Sequence, residues 1–372
     1  MPGSNTAVLD YTALPKIELH AHLSGSISRQ CLHEVWLTKK AAGETNLQDP
    51  LVEMPPEKHD YDLKTKTAKL RTNQTPTSFF PLFSSYIYNL VNDAAALRHT
   101  TLAVLRDFAA DGVVYLELRT TPRAMPAAGL TEAGYVQTIL DAIAEYESGS
   151  QSEGGVVGEA AGEVGLRTKL ILSVDRRHSP AQAARVLALA RQFLGRGVVG
   201  IDLCGDPATP VNPALSPVFE EARRVPGLGM TLHFAEAECS ASDAELDMLL
   251  GWRPDRIGHV ICVSERVRQE ILKRPGIGLE LCLSCNVHAG MVCGGFEGHH
   301  FGDWWKIQET VVALSTDDVG VFESPLSNEY ALVAQHFGLS RAQICALVIR
   351  GVDIIFGGEE EKRRLRDILW KE

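Results

Sequence analysis

Short apolar, β-branched runs recur along the chain, separated by longer stretches in which apolar residues return with a helical period. Eight runs stand out: Lys16 to His20, Val113 to Leu118, Lys169 to Val174, Val198 to Leu203, Met230 to Phe234, Arg256 to Val260, Gly278 to Leu283 and Val311 to Ser315. Several are apolar almost throughout, as in VVYLEL, KLILSV and VVGIDL, which suits strands buried on both faces of a parallel sheet. Pro180 to Leu194, Asn212 to Arg224, Ala241 to Leu250 and Ser264 to Lys273 each read as one amphipathic crossover helix. The alternation predicts an α/β fold, a (β/α)8 TIM barrel.

The long segment between the first two strands, about 26–111, reads as a helical insertion over one barrel mouth. It has a polar piece from Gly43 to Lys66 and an aromatic one from Ser78 to Leu90. Residues 148–165 are rich in Gly, Ser and Glu, too poor in apolar surface to order themselves, and read as a flexible loop. The strand count closes only if both sides of that loop belong together, so residues 1–372 are expected to form one domain. The tail from Leu326 is helical in pattern.

Of the 372 residues 45% are hydrophobic and 22% charged, enough for one large barrel, and the net charge of −11 gives phosphate-backbone attraction no footing. A nucleic-acid binder is therefore disfavoured. No run approaches the roughly 18 apolar residues of a membrane span, and the first residues lack the regions of a signal peptide. A cytoplasmic monomer with no membrane partner is expected. The eight cysteines follow no disulfide spacing and read as reduced, buried, small hydrophobes.

Chemistry in such a barrel collects at the C-terminal ends of the strands. The first strand ends in His20-Ala21-His22, whose imidazoles point to one side and can share a metal ion. The fifth ends in His233-Phe234-Ala235-Glu236, the sixth in Gly258-His259 and the eighth in Ser315-Thr316-Asp317-Asp318. Any one of these is commonplace; together they predict a metal site. Three imidazoles and a carboxylate, His20, His22, His233 and Asp317, suit one Zn²⁺ per subunit, which lowers the pKa of a bound water. His259 and Glu236 are the candidates for the base and the acid that such water needs, and Asp318 is placed to orient it.

These residues resemble the adenosine deaminase family within the metallo-dependent hydrolase barrels, over most of the chain. The motifs are KIELHAHLSGS, YLELRTTPR, GIDLCGDP, LHFAEAE, DRIGH and STDDVGVF. SVDRR, LELCLSCNV and GHHFGDW make the chain most similar to the branch of that family acting on N6-methyl-AMP. The resemblance implies the same four zinc ligands. It implies further that Glu236 protonates the purine N1, His259 handles the water proton and Asp318 orients the hydroxide. Gly205 would offer its N–H to the purine N3, with no side chain to prevent the approach. No lysine stands on the fourth strand to bridge a second metal, so a mononuclear site is expected.

Substrate choice should show at the other strand ends. Adenosine deaminases proper carry an Asp at the position of Ser24, and the methyl-AMP branch an Asn; the neutral Ser24 removes a charge that would repel a 5′-phosphate. Thr120, Thr121, Pro122 and Arg123 form a loop whose two hydroxyls and guanidinium suit a phosphate. Asp175 matches a substrate-contacting position of the branch, as His22 and Asp318 do. Tyr86 and Tyr88 both stand where the branch has a phosphate-side histidine. Cys282 to Cys285 is a CxxC without the HxE of cytidine deaminases and reads as a strand and its exit. His299-His300 reads as structural. The expected function is hydrolytic deamination of a purine nucleotide, N6-methyl-AMP to IMP and methylamine. The rivals are adenosine deamination, a non-catalytic purine-nucleotide binder and, more remotely, another metal-dependent hydrolase.

Overall fold

The computed structural model describes residues 10–54, 61–62, 67–68, 80–152 and 165–370. Eight strands form one parallel sheet in chain order: β1 (Lys16–His22), β2 (Val113–Thr120), β3 (Arg167–Asp175), β4 (Val198–Cys204), β5 (Gly229–Phe234), β6 (Arg256–His259), β7 (Gly278–Leu281) and β8 (Val311–Leu314). The sheet closes just beyond β8, where His22 N–H donates to the Asp317 carbonyl (2.9 Å) and Asp317 N–H to that of His20 (2.8 Å). The expected barrel is therefore present, and its seam is made by the backbone of predicted metal ligands.

All eight residues of β2 are buried, as its unbroken apolar run requires. The barrel interior, however, is charged. Arg256 bonds Glu280 through Nε (2.6 Å) and pairs with Glu117 (2.6 Å), while Arg119 donates to Glu280 (2.8 Å) and lies 3.4 Å from Asp202. Arg256 and Glu280 stand on neighbouring strands, but the Arg256–Glu117, Arg119–Glu280 and Arg119–Asp202 contacts join strands that are not neighbours, so they cross the barrel interior. Buried ions of this kind hold only when each charge finds a partner.

The outer helices follow their capping signals. Pro180–Phe193 starts at a capping box between Ser179 and Gln182 with Pro180 at its first position. The predicted helix from Asn212 to Arg224 is instead a 3-10 turn, Pro213–Leu215, followed by Ser216–Ala222, because Pro217 has no N–H to continue a helix through it. Glu132–Ser152 runs five residues into the predicted loop; residues 153–164 lie outside the described residues.

Of the insertion, the helices Arg29–Ala41 and Pro50–Glu53 and a helical stretch from Phe80 to Leu90 are described, the last with a π turn at Phe83–Ile87. Ala94–Ala110 packs on β2 and on Glu132–Ser152 and serves as the crossover helix of the first βαβ unit. The tail forms three helices, Leu326–Phe337, Arg341–Gly351 and Gly358–Ile368. Its Phe356 ring lies 3.7 Å from the Arg256 guanidinium, so the tail seals the barrel at the end opposite the predicted site. All eight cysteines are free; Cys239 and Cys293 are exposed, a correction to the expectation that they are buried. No described helix is long and apolar enough to cross a membrane.

Candidate metal centre and active site

The four strand ends singled out above converge. One donor atom each from His20, His22, His233 and Asp317 lies within 4.8 Å of the others. His22 Nε2 is 3.0 Å from His233 Nε2 and 3.3 Å from Asp317 Oδ1. Carboxylates behind the rings set which nitrogen is free. His20 Nδ1 meets Glu280 at 2.6 Å and His233 Nδ1 meets Asp202 at 3.2 Å, so both rings carry hydrogen on Nδ1 and turn an Nε2 lone pair inward. Facing lone pairs, with an ionised carboxylate beside them, make a cavity that a cation fits.

Burial pushes His22 well below the ordinary imidazole range, and His233 below it. His20 is pushed down by burial and Arg119 but raised on balance to about 9 by Asp317 and Glu280. The same two carboxylates would draw a metal ion, which would displace the second proton from His20 Nε2 and take up its lone pair. Asp317 is kept ionised by the neighbouring histidines against the push of burial. Asp317 also lies near His259 and Cys282, but burial raises the Cys282 thiol far above its ordinary value, which disfavours that second set as ligands.

Backbone conformation delivers these side chains. Gly258 lets the His20 ring pass, since a Cβ there would stand 2.6 Å from His20 Cε1. Glu236 and His259 sit over the centre with 3.9 Å between Oε1 and Nε2. Burial and the charge of Asp317 push the Glu236 carboxyl up to about 8, so it holds a proton at neutral pH. Asp318 is likewise raised, by burial and by Asp317 and Glu236, and its Oδ1 has no hydrogen-bond partner.

An open cleft leads down to His22, His233, Glu236, Asp317 and Asp318. Ser24, Thr120, Thr121, Arg123, Asp175 and Gly205 line its walls, and Phe80, Phe83, Ser84 and Tyr88 of the insertion overhang it. Tyr88, not Tyr86, reaches the cleft; the Tyr86 hydroxyl donates to the Gln48 carbonyl. Pro122 is buried and does not line the cleft. Thr120 shares a hydrogen bond with Tyr135 (2.7 Å). Arg123 stacks on Tyr88 at 4.2 Å and donates to the Val91 carbonyl at 2.5 Å, which ties the insertion to the barrel rim. Asp175 is paired with Arg177 at 2.6 Å, and a Cβ on Gly205, at φ +105°, would meet the Asp175 carboxylate at 2.7 Å.

Sequence reading missed the groups behind the centre: Asp202, Glu280 and Arg119, which hold the ligand rings, and Asn286 and His299, which hold His259. For Asp202, Glu280 and Arg119, their charge inside apolar strands was a usable signal, since a buried charge requires a partner. The CxxC is buried and its Cys282 is the strand exit, but the rest of it is helical and not strand. β7 stops at Leu281, and Ser284 donates through its N–H to the Glu329 carboxylate (3.1 Å), starting the helix Leu283–His288.

A parallel barrel with three imidazoles and a carboxylate gathered at the strand C-termini defines a metal-dependent hydrolase. The family model described as adenosine deaminase matches residues 15–372, and the chain belongs to the adenosine deaminase family. It is 34% identical over 361 residues to the N6-methyl-AMP deaminase-L of Xenopus laevis, covering 96% of this chain and 93% of that protein. The crystal structure of the Arabidopsis N6-mAMP deaminase superposes with a TM-score of 0.81 at 31% identity, covering 96% of this chain and 98% of that one. A structure of Arabidopsis ADAL complexed with IMP has a TM-score of 0.81 at 31% identity, covering 97% of each chain.

Proposed function

We propose that this chain is a zinc-dependent deaminase of a 6-aminopurine nucleotide, converting N6-methyl-AMP and water to IMP and methylamine. The observation that carries the reading is the meeting of the four-donor cluster with a carboxyl, Glu236, that burial keeps protonated at neutral pH. Zinc held by His20, His22, His233 and Asp317 would supply a water acidified to near neutrality, attacking at purine C6.

Glu236 gives its proton to N1, making C6 electrophilic as the amine prepares to leave. Asp318 and His259 would flank that water, and the Gly205 N–H would donate a hydrogen bond to N3. The cleft walls favour a nucleotide: Ser24 brings no negative charge, while the Arg123 and Arg177 guanidiniums lie along the rim. The relative named N6-methyl-AMP deaminase and the IMP complex of a similar structure support that preference. All the groups invoked come from one chain, so a single domain acting as a monomer suffices, with the insertion as its roof.

The test is turnover of the purified protein on N6-methyl-AMP, AMP and adenosine side by side, with and without a zinc chelator. Chelator-sensitive release of methylamine from N6-methyl-AMP, with little activity on adenosine, is expected. Turnover of adenosine alone would keep the hydrolytic chemistry and reject the phosphate argument; insensitivity to the chelator would reject the metal.

A further inference from the structure

The imidazoles around the centre differ in what stands behind them. Behind His20 and His233 are carboxylates, which only accept hydrogen bonds. Behind His259, Nδ1 lies 3.0 Å from Asn286 Nδ2. An amide nitrogen only donates, so everything turns on which way the Asn286 amide faces.

The residues beyond it decide. Asn286 Oδ1 lies 3.2 Å from His299 Nε2, and His299 Nδ1 receives the backbone N–H of Phe301 at 3.0 Å. A backbone N–H cannot exchange roles, so His299 Nδ1 is an acceptor. Burial, with His300 and His259 nearby, holds His299 well below the ordinary imidazole range, so the ring is neutral and its hydrogen is on Nε2. That hydrogen goes to Asn286 Oδ1, which leaves Nδ2 to donate to His259 Nδ1. The neighbouring His300 holds the backbone of the same residue, its Nε2 lying 2.5 Å from the His259 carbonyl oxygen. His259, with Nδ1 occupied as an acceptor, has one place for its hydrogen. Its Nε2 is buried, has no partner and faces Glu236 and Asp317 at 3.9 Å.

We propose that Asn286 and His299 are positioning residues that fix His259 as the Nε2–H tautomer, so that it meets the attacking oxygen as a hydrogen-bond donor and not as the base that takes the water's proton. The water's proton then leaves to solvent, and the hydroxide that remains is held by His259 N–H···O. This rests on the function proposed above and deepens it. It also gives the His299-His300 pair, which the sequence leaves as structural, a place in the site.

The experiment uses the full chain labelled with ¹⁵N-histidine, with long-range ¹H–¹⁵N correlation of the imidazoles and His259 assigned by loss of its signals in His259→Gln. A hydrogen on Nε2 of His259 is expected; a hydrogen on Nδ1 overturns the inference. Asn286→Asp keeps the side-chain shape and reverses its polarity, and it should move the hydrogen to Nδ1. Turnover should then fall about 10- to 100-fold with KM and bound metal nearly unchanged, as for partners behind a reactive histidine. Asn286→Leu removes the hydrogen bond without imposing the opposite one and should be the milder of the two. A merely packing role predicts the reverse order, and finding it would overturn the inference, as would an unchanged tautomer in Asn286→Asp. Because the tautomer is read without substrate, a protein with no deaminase turnover but the expected flip would reject the proposed reaction and support the positioning role.

Discussion

Ala235, His259, Val260 and Asp317 hold φ between +51° and +65°, a region that costs a non-glycine residue about 1–3 kcal/mol. They stand at three strand ends of the site, and for the β-branched Val260 the conformation is a genuine outlier. Val260 N–H donates to the Phe234 carbonyl at 3.0 Å, so the surrounding sheet holds the turn in place. The strain turns His259 and Asp317 inward at the points where the strands end. Glu236→Gln should keep the metal, since Glu236 is not one of the four donors, and lose at least about 10²-fold in turnover, the lower range for a positioned acid. Metal content and kcat measured on one preparation check both halves; near-normal kcat would reject the acid. His233→Ala removes a donor 3.0 Å from His22 Nε2 and should purify without stoichiometric metal.

Among the elements, the helix Leu326–Phe337 reaches the site through one carboxyl. Glu329 is buried and accepts hydrogen bonds from Ser284 and, at 2.7 Å, from the Ser324 hydroxyl. Burial raises it to about 7, with Glu18 also pushing it upward while its hydrogen bonds lower it. The folded chain thus keeps this proton to about pH 7 while the unfolded chain releases it near 4.5. Between those values the folded state binds more protons, so this group makes stability fall as pH rises, with the full penalty above pH 7. Glu329→Gln should remove that part of the slope. Its melting temperature relative to the parent chain should climb from pH 5 to pH 8, and a flat difference would show that the carboxyl is not held neutral. The strands and the main crossover helices were legible because their periods are local. The helix at Leu283–His288 was not, because the Ser284–Glu329 contact that starts it spans 45 residues.

For the whole molecule, the barrel seam and the four-donor cluster are the same place, since the two hydrogen bonds that close β8 onto β1 are made by His20, His22 and Asp317. Metal that binds only the folded chain should stabilise it by about 4 kcal/mol when free metal is a thousand-fold above Kd. Chelation should lower the melting temperature by several degrees, and re-addition of Zn²⁺ should restore it. An unchanged melting temperature after verified metal removal would place the ion elsewhere. The sequence by itself determined the eight-strand barrel, through alternation of buried runs with helical periods, and the gathering of His20, His22, His233 and Asp317, because parallel topology sends every strand end to one mouth. It could not determine which tyrosine reaches the cleft, that the barrel axis is filled by Arg119, Arg256, Glu117 and Glu280, or which way the hydrogen bonds behind His259 run. Those depend on partners from distant strands: burial and hydrogen-bond polarity belong to pairs of groups, and only the folded chain brings the pairs together.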